Sequence, residues 1–266
     1  MQNTPLIIGH RGSSAVSPEN TLAAFAQSFD DGADGIELDV RLARDGVPVV
    51  IHDGNLRHTA GVNQLVENLT SAELGETDVA ARFYRAHRAL PRPEHPRRTI
   101  PTLDEVFQFL RDRKRKNFVA YVEIKTGRSS VRNSDLAGAV VELIKRHGIS
   151  DQTIVISFNL ATVARIKQLD SSVRTGALFS PRQKGLRPTA RIFKAAIDCG
   201  AQEILFHRLL STRGMIARAR ERDLTPVVWT VDDVKWLSRA ERHGIHAIMT
   251  NNPGLMIAER RTLRSL

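Results

Sequence analysis

Eight short apolar runs begin near residues 6, 35, 118, 153, 173, 203, 226 and 246, and each is followed by a segment of helical periodicity. Strands alternating with helices imply a parallel sheet, because a parallel partner is reached only through a crossover long enough to hold a helix. A doubly wound open sheet alternates in the same way. The count of eight is the pattern of a closed (β/α)8 barrel, and 266 residues suit one such barrel. We therefore expect a TIM barrel built as a single domain over residues 1–266, with a capping insertion after strand two at about 54–98.

One extended run, Val47 to Ile51, is left out of that count. Only Asp45-Gly46 separates it from the run Gly35-Ile-Glu-Leu-Asp-Val-Arg-Leu42. That dipeptide suits a tight hairpin and is far too short for a parallel crossover. The run is therefore antiparallel and roots the insertion. Between Gly54 and Arg98 no regular alternation is visible. Leu69 to Leu74 reads as a short helix, and Arg82 to Arg98 is rich in arginine and proline. A loop of this length in a compact domain usually has a function.

Cap signals place some helices. Ser17 reads as an N-cap with Pro18 at the first helical position, ahead of an apolar face of Leu22, Phe25, Ala26 and Phe29. Thr102-Leu-Asp-Glu105 is a capping box that opens a helix with Leu103, Val106, Phe107 and Leu110 on one face. The basic run Arg111 to Lys116 reads as its solvated end, favoured by the helix dipole.

A barrel carries its chemistry at the C-terminal ends of its strands. The polar residues there are His10 and Arg11, Glu37 and Asp39, Glu123 and Lys125, Ser157, His207, Trp229 and Thr250-Asn251. Glu37 and Asp39 are two apart on a strand and so share a face, while Ile36, Leu38 and Val40 take the other. Paired like charges are destabilising unless a cation sits between them. Glu123 and Lys125 share a face for the same reason, and the hairpin's second arm ends in His52-Asp53. Three convergent carboxylates without cysteine favour a hard cation, Mg²⁺ or Ca²⁺. A divalent ion, two histidines, an arginine and a lysine suit attack on a phosphodiester. Arg11 would offer a fork to the phosphate, Lys125 would offset part of the carboxylate charge or bind a phosphate oxygen, and the two imidazoles would serve as acid and base, in an order left open.

The net charge of +10 favours anionic partners, while an aromatic content of 5% offers few stacking platforms for single-stranded nucleic acid. The expected partner is a small molecule rather than nucleic acid, with transient contact to an anionic lipid surface left open. The single cysteine, Cys199, excludes an intrachain disulfide. The chain has no run of ~18 apolar residues and no basic leader region, so the expected compartment is the cytoplasm.

The motifs His10-Arg11-Gly12, Pro18-Glu19-Asn20-Thr21, Glu37-Leu38-Asp39-Val40 and His52-Asp53 resemble, in order and spacing, the N-terminal signature of the glycerophosphodiester phosphodiesterase family. Thr99 to Glu105, Glu123-Ile-Lys125, Ser157-Phe158 and Trp229-Thr-Val231 are similar to its later segments. The resemblance implies a metal-dependent TIM-barrel hydrolase that cleaves glycerophosphodiesters to an alcohol and sn-glycerol 3-phosphate. It implies His10 and His52 as the catalytic pair, Glu37, Asp39 and Glu123 as metal ligands, and Arg11, Lys125 and Trp229 as substrate contacts. Glu19 and Asn20 would hold the first loop. Asp232 and Asn251 stand where the family commonly has asparagine and aspartate, and the stretch 82–98 is not a family signature.

Two other readings compete. One is a lysophospholipase D or sphingomyelinase D type activity, with the basic insertion docking on an anionic lipid surface. The other is a non-enzymatic, basic nucleic-acid or membrane-binding protein on an inactive barrel. Against the latter, no member of the catalytic set is missing.

Overall fold

Closure is the feature that decides the architecture. The computed structural model describes residues 4–91, 98–127, 129–181 and 189–265. The strands are β1 (Leu6–His10), β2 (Gly35–Leu42), β3 (Pro48–Val50), β4 (Val119–Ile124), β5 (Thr153–Ser157), β6 (Arg174–Phe179), β7 (Glu203–His207), β8 (Thr225–Trp229) and β9 (Ala247–Thr250). Their order is β1-β9-β8-β7-β6-β5-β4-β2-β3, and β1 also pairs with β2. Every pairing is parallel except β2 with β3. The fold is therefore a TIM barrel with β3 hung outside it on the end of β2.

Helices follow the barrel strands as the periodicity predicts. They are α1 (Leu22–Asp30), α2 (Ser71–Gly75), α3 (Ala80–Ala86), α4 (Leu103–Arg113), α5 (Ser130–His147), α6 (Leu160–Leu169), α7 (Thr189–Asp198), α8 (Arg213–Arg220), α9 (Lys235–His243) and α10 (Pro253–Arg264). Inside the barrel, Ile8, Tyr121, Ile154, Ile156, Leu205 and Met249 pack together. Two larger apolar clusters fill the space between the strands and the outer helices. At the seam, Asp34 accepts hydrogen bonds from the Ile7 amide at 2.9 Å and from Arg260 Nη1 at 2.6 Å, which ties the last helix to the first strand.

Three local readings change. The first helix begins at Leu22 with Thr21 as N-cap, not at Ser17-Pro18. Thr21 Oγ1 accepts from the Ala24 amide at 3.2 Å, and Asn20 takes a left-handed φ of 57°, so residues 17–20 form a loop. The basic run after α4 does more than meet solvent. Arg113 and Arg115 set their guanidinium groups 5.0 and 5.5 Å from the Phe29 ring and shield it. The third concerns the arginine-rich stretch, whose first part forms helix α3 and whose residues 92–97 lie outside the described residues.

The segment after β3 leaves and returns at one place. The Val50 amide donates to the Pro101 carbonyl at 2.8 Å, and Val49 pairs with Thr102. Between those points the segment has its own apolar cluster of Ile51, Leu56, Val66, Leu74, Val79 and Ile100. The capping box at Thr102 and Glu105 is fully formed. Among the described residues, no helix is long and apolar enough to cross a membrane.

Candidate active site

Strand register assembles the centre. His10 on β1 lies opposite Glu37 on β2, and Asp39 on β2 lies opposite Glu123 on β4. Side chains two apart on β2 face the barrel mouth together, as strand alternation requires. Glu37, Asp39 and Glu123 each place a carboxylate oxygen within 4.8 Å of the others. All three side chains are buried.

Buried carboxylates this close cannot all hold charge unaided. Burial, reinforced by the charges of Asp39 and Glu123, pushes the Glu37 carboxyl well above its usual range. Burial raises Glu123 to about 7 despite Lys125. Burial would raise Asp39 too, but Lys125 and Arg11 hold it well below the ordinary carboxylate range. Lys125 Nζ lies 2.9 Å from Asp39 Oδ1 and 2.6 Å from Glu123 Oε1. Those two buried oxygens nevertheless lack an aligned hydrogen bond. A cluster of three buried carboxylates with two such oxygens offers hard donors that fit a divalent cation.

The loop after β1 wraps the cluster. Arg11 has a left-handed φ of 56°, which lets its amide donate to Glu37 Oε2 at 3.1 Å and puts Nε 3.2 Å from Asp39 Oδ2. Glu19 takes the other end of that guanidinium, with both oxygens 3.0 Å from Nη1. Asn20 bonds Asp39 twice, through Nδ2 to Oδ2 at 2.8 Å and through Oδ1 to the Asp39 amide at 3.1 Å. Gly12 permits this loop, because at φ 82° a Cβ would lie 2.6 Å from the Ala24 backbone.

Both histidines have one nitrogen committed. His10 Nδ1 donates to Asn251 Oδ1 at 2.8 Å, and Asn251 Nδ2 donates to Asp232 Oδ2 at 2.9 Å. This leaves His10 Nε2 facing Glu37, 3.9 Å from Oε2. His52 Nδ1 donates to Asp53 Oδ1 at 2.8 Å. Burial, with Arg11 next, lowers His10 to about 4, and burial also lowers His52. Burial thus works against the charged form of both rings, and among the described residues neither Nε2 makes a hydrogen bond.

Trp229 stands apart from the charged cluster. It ends β8 and meets Phe158 and His207 edge-on, with centroids 5.5 and 5.2 Å away, in an aromatic corner. Ser157 turns to the backbone, donating to Ile124 O at 2.9 Å. Sequence reasoning missed the role of Asn251 as the His10 partner, a contact spanning 241 positions. It also missed Ser14, which donates to the His10 carbonyl at 2.9 Å.

The family model described as the glycerophosphoryl diester phosphodiesterase family matches residues 10–255. The chain belongs to this family. It is 30% identical over 252 residues to a glycerophosphodiester phosphodiesterase of Caldanaerobacter subterraneus, covering 95% of this chain and 96% of the relative. Among solved structures, it resembles an Oleispira antarctica phosphodiesterase in complex with the product sn-glycerol-3-phosphate. The TM-score is 0.82, with 22% identity and 97% of both chains covered. A glycerophosphodiester phosphodiesterase from Agrobacterium tumefaciens superimposes with a TM-score of 0.75 at 24% identity, covering 96% of this chain and 99% of that one. These likenesses support the barrel assignment. For this member of the family, the acidic cluster at the mouth is the feature that its own geometry supplies.

Proposed function

We propose that this chain hydrolyses glycerophosphodiesters to an alcohol and sn-glycerol 3-phosphate, with a divalent cation, Mg²⁺ or Ca²⁺, held by Glu37, Asp39 and Glu123. The observation that carries this reading is the convergence of those three buried carboxylates beside two imidazoles with free Nε2 atoms. When bound, the cation would neutralise charge developing on the phosphoryl oxygens. Arg11 and Lys125 add positive charge at the edge of the cluster, where a phosphodiester anion is attracted. His10 and His52 act as general acid and base. Their partners Asn251 and Asp53 fix each ring so that Nε2 is the nitrogen that exchanges protons. Trp229 with Phe158 gives the glycerol carbons an apolar wall.

The test is a panel of glycerophosphodiesters assayed after EDTA treatment and again after Mg²⁺ or Ca²⁺ is restored. Glycerol 3-phosphate should appear only with metal, and Glu37→Ala should abolish it. Undiminished turnover in EDTA would sink the metal assignment.

One observation favours a second reading at a lipid surface. Among the described residues, nine large hydrophobic side chains are exposed. Only Ile197 and Leu263 lie near the C-terminal ends of helices, α7 and α10, which run back to the far end of the barrel. The others, including Val16, Val62, Leu65 and Leu209, lie on the loops and helix starts around the mouth. A lysolipid substrate would meet that rim at a membrane. Faster turnover of lysolipids in vesicles than of deacylated diesters would favour this reading, and the reverse order would count against it.

A further inference from the structure

A cavity of about 360 Å³ opens beside His52, between the loop after β1 and the insertion. Arg11, His52 and Asp53 line it from the site, and His58, Arg82 and Phe83 line it from the insertion. In the closed strand order, β1 and β2 are neighbours, while β7 and β8 lie in the other half of the ring. The cavity and the aromatic corner at Trp229 therefore occupy different parts of the rim. A phosphodiester carries two substituents on one phosphorus, and this site has a compartment for each.

The two compartments differ in kind. The aromatic corner is built on barrel strands and suits the part common to every substrate, the glycerol. The cavity is walled by the insertion and suits the part that varies, the leaving alcohol. Its charge is also distinctive. The two carboxylates that reach it, Glu19 at 3.0 Å from Arg11 and Asp53 at 2.8 Å from His52, lie on the side of the site. On the insertion side, Arg82 is the one formally charged lining residue. Beside it, Phe83 stacks on His87 with centroids 4.3 Å apart, and His87 Nδ1 donates to the Phe83 carbonyl at 3.0 Å. A flat, fixed face next to a guanidinium suits a carbon chain ending in an anion. It disfavours a quaternary ammonium group, which needs an aromatic face without a competing cation.

We propose that this cavity binds the leaving alcohol and selects one that carries a second anionic group, such as a further phosphodiester, through Arg82. The proposal rests on the phosphodiesterase reading above.

The experiment compares kcat/KM on bis(glycerophospho)glycerol and on glycerophosphocholine for the wild type, Arg82→Glu and Arg82→Gln, at saturating metal. The wild type should favour the first substrate. Arg82→Glu should lower kcat/KM on it by on the order of tenfold, mainly through KM, and leave glycerophosphocholine unharmed. Arg82→Gln, which removes the charge without reversing it, should fall between. The same preference in all three proteins would overturn the proposal. A wild type that hydrolyses neither substrate would instead refute the phosphodiesterase reading.

Discussion

Replacing Glu203 with glutamine should remove a large part of the pH dependence of this barrel's stability. Glu203 begins β7 at the end of the barrel away from the carboxylate cluster, and it is 3% exposed. Tyr121 Oη, from β4, donates to Glu203 Oε2 at 2.9 Å. Its neighbour in register on β6 is Gly176, where a Cβ would lie 2.5 Å from Leu205 Cδ1 and 3.4 Å from the Glu203 Cβ. Burial raises the Glu203 carboxyl from 4.5 to about 7, against the opposing pull of the Tyr121 hydrogen bond and Arg174. A group that binds its proton more tightly in the fold stabilises the fold while protonated. The contribution is full below about pH 4.5 in the wild type, falls as pH rises through 7, and is absent above that. At about 1.36 kcal/mol per pH unit, the loss is roughly 3 kcal/mol.

Glutamine keeps the size and an acceptor for the Tyr121 hydroxyl, and it does not titrate. Between pH 4 and pH 8 the variant should therefore gain roughly 3 kcal/mol on the wild type. In thermal terms this is on the order of 5–10 °C in Tm for a chain of this size. The assay is urea unfolding followed by circular dichroism at intervals across that range, on both proteins. Glu37 and Glu123 titrate in both and sit at the other end of the barrel, so they cancel in the difference. Stability curves that run parallel across the range would refute the reasoning.

His10→Ala and His52→Ala should each lower kcat by roughly 10²–10⁴ while leaving the fold intact by circular dichroism, and a mild effect at both would mean the acid and base lie elsewhere. Asn251→Ala frees His10 Nδ1 and should cost on the order of tenfold in kcat, with substrate KM little changed, as read in steady-state kinetics. Gly12→Ala forces a Cβ against the Ala24 backbone at positive φ and should lower stability by roughly 1–3 kcal/mol in urea titration. Saturating Mg²⁺ or Ca²⁺ should raise Tm for the wild type and not for Asp39→Asn, measured by scanning calorimetry.

The barrel is legible in the sequence because each strand is a brief apolar run and each helix carries its own punctuation. Thr102 and Glu105 cap α4 as their spacing requires. Ser17-Pro18 carries the same kind of signal, yet the chain ignores it. Ser17 is only 8% exposed, and its amide bonds the Ser13 carbonyl inside the loop that positions Arg11. Helix α3 is hidden for the opposite reason. It has no side-chain cap, spans 7 residues, and buries only Ala80 and Tyr84. Within the site, Glu37 and Asp39 follow from strand alternation, and Glu123 joins them because the barrel order sets β4 beside β2. Asn251 and Ser14 do not, because the closing of β9 onto β1 decides that Asn251 meets His10 and that Ser14 donates to Asn251 Oδ1 at 3.1 Å.

The position of His52 outside the barrel has a physical consequence. Its strand is fixed to the carboxylate strand by the backbone. Val50 pairs with Val40, the Ile51 amide donates to the Asp39 carbonyl at 2.8 Å, and Arg41 Nε donates to the His52 carbonyl at 2.7 Å. The spacing of imidazole from carboxylates is thus set by a ladder of hydrogen bonds. The segment beyond Gly54 adds none of these bonds and returns to the ladder through Pro101 and Thr102. A closed excursion with both ends pinned can change in length and charge at small entropic cost, without moving His52. On the function and the alcohol site proposed above, chemistry and choice of alcohol are carried by separate parts of the chain. Substitutions at Arg82 should accordingly act on KM for particular alcohols, and substitutions at Asp39 or His52 on turnover of all of them.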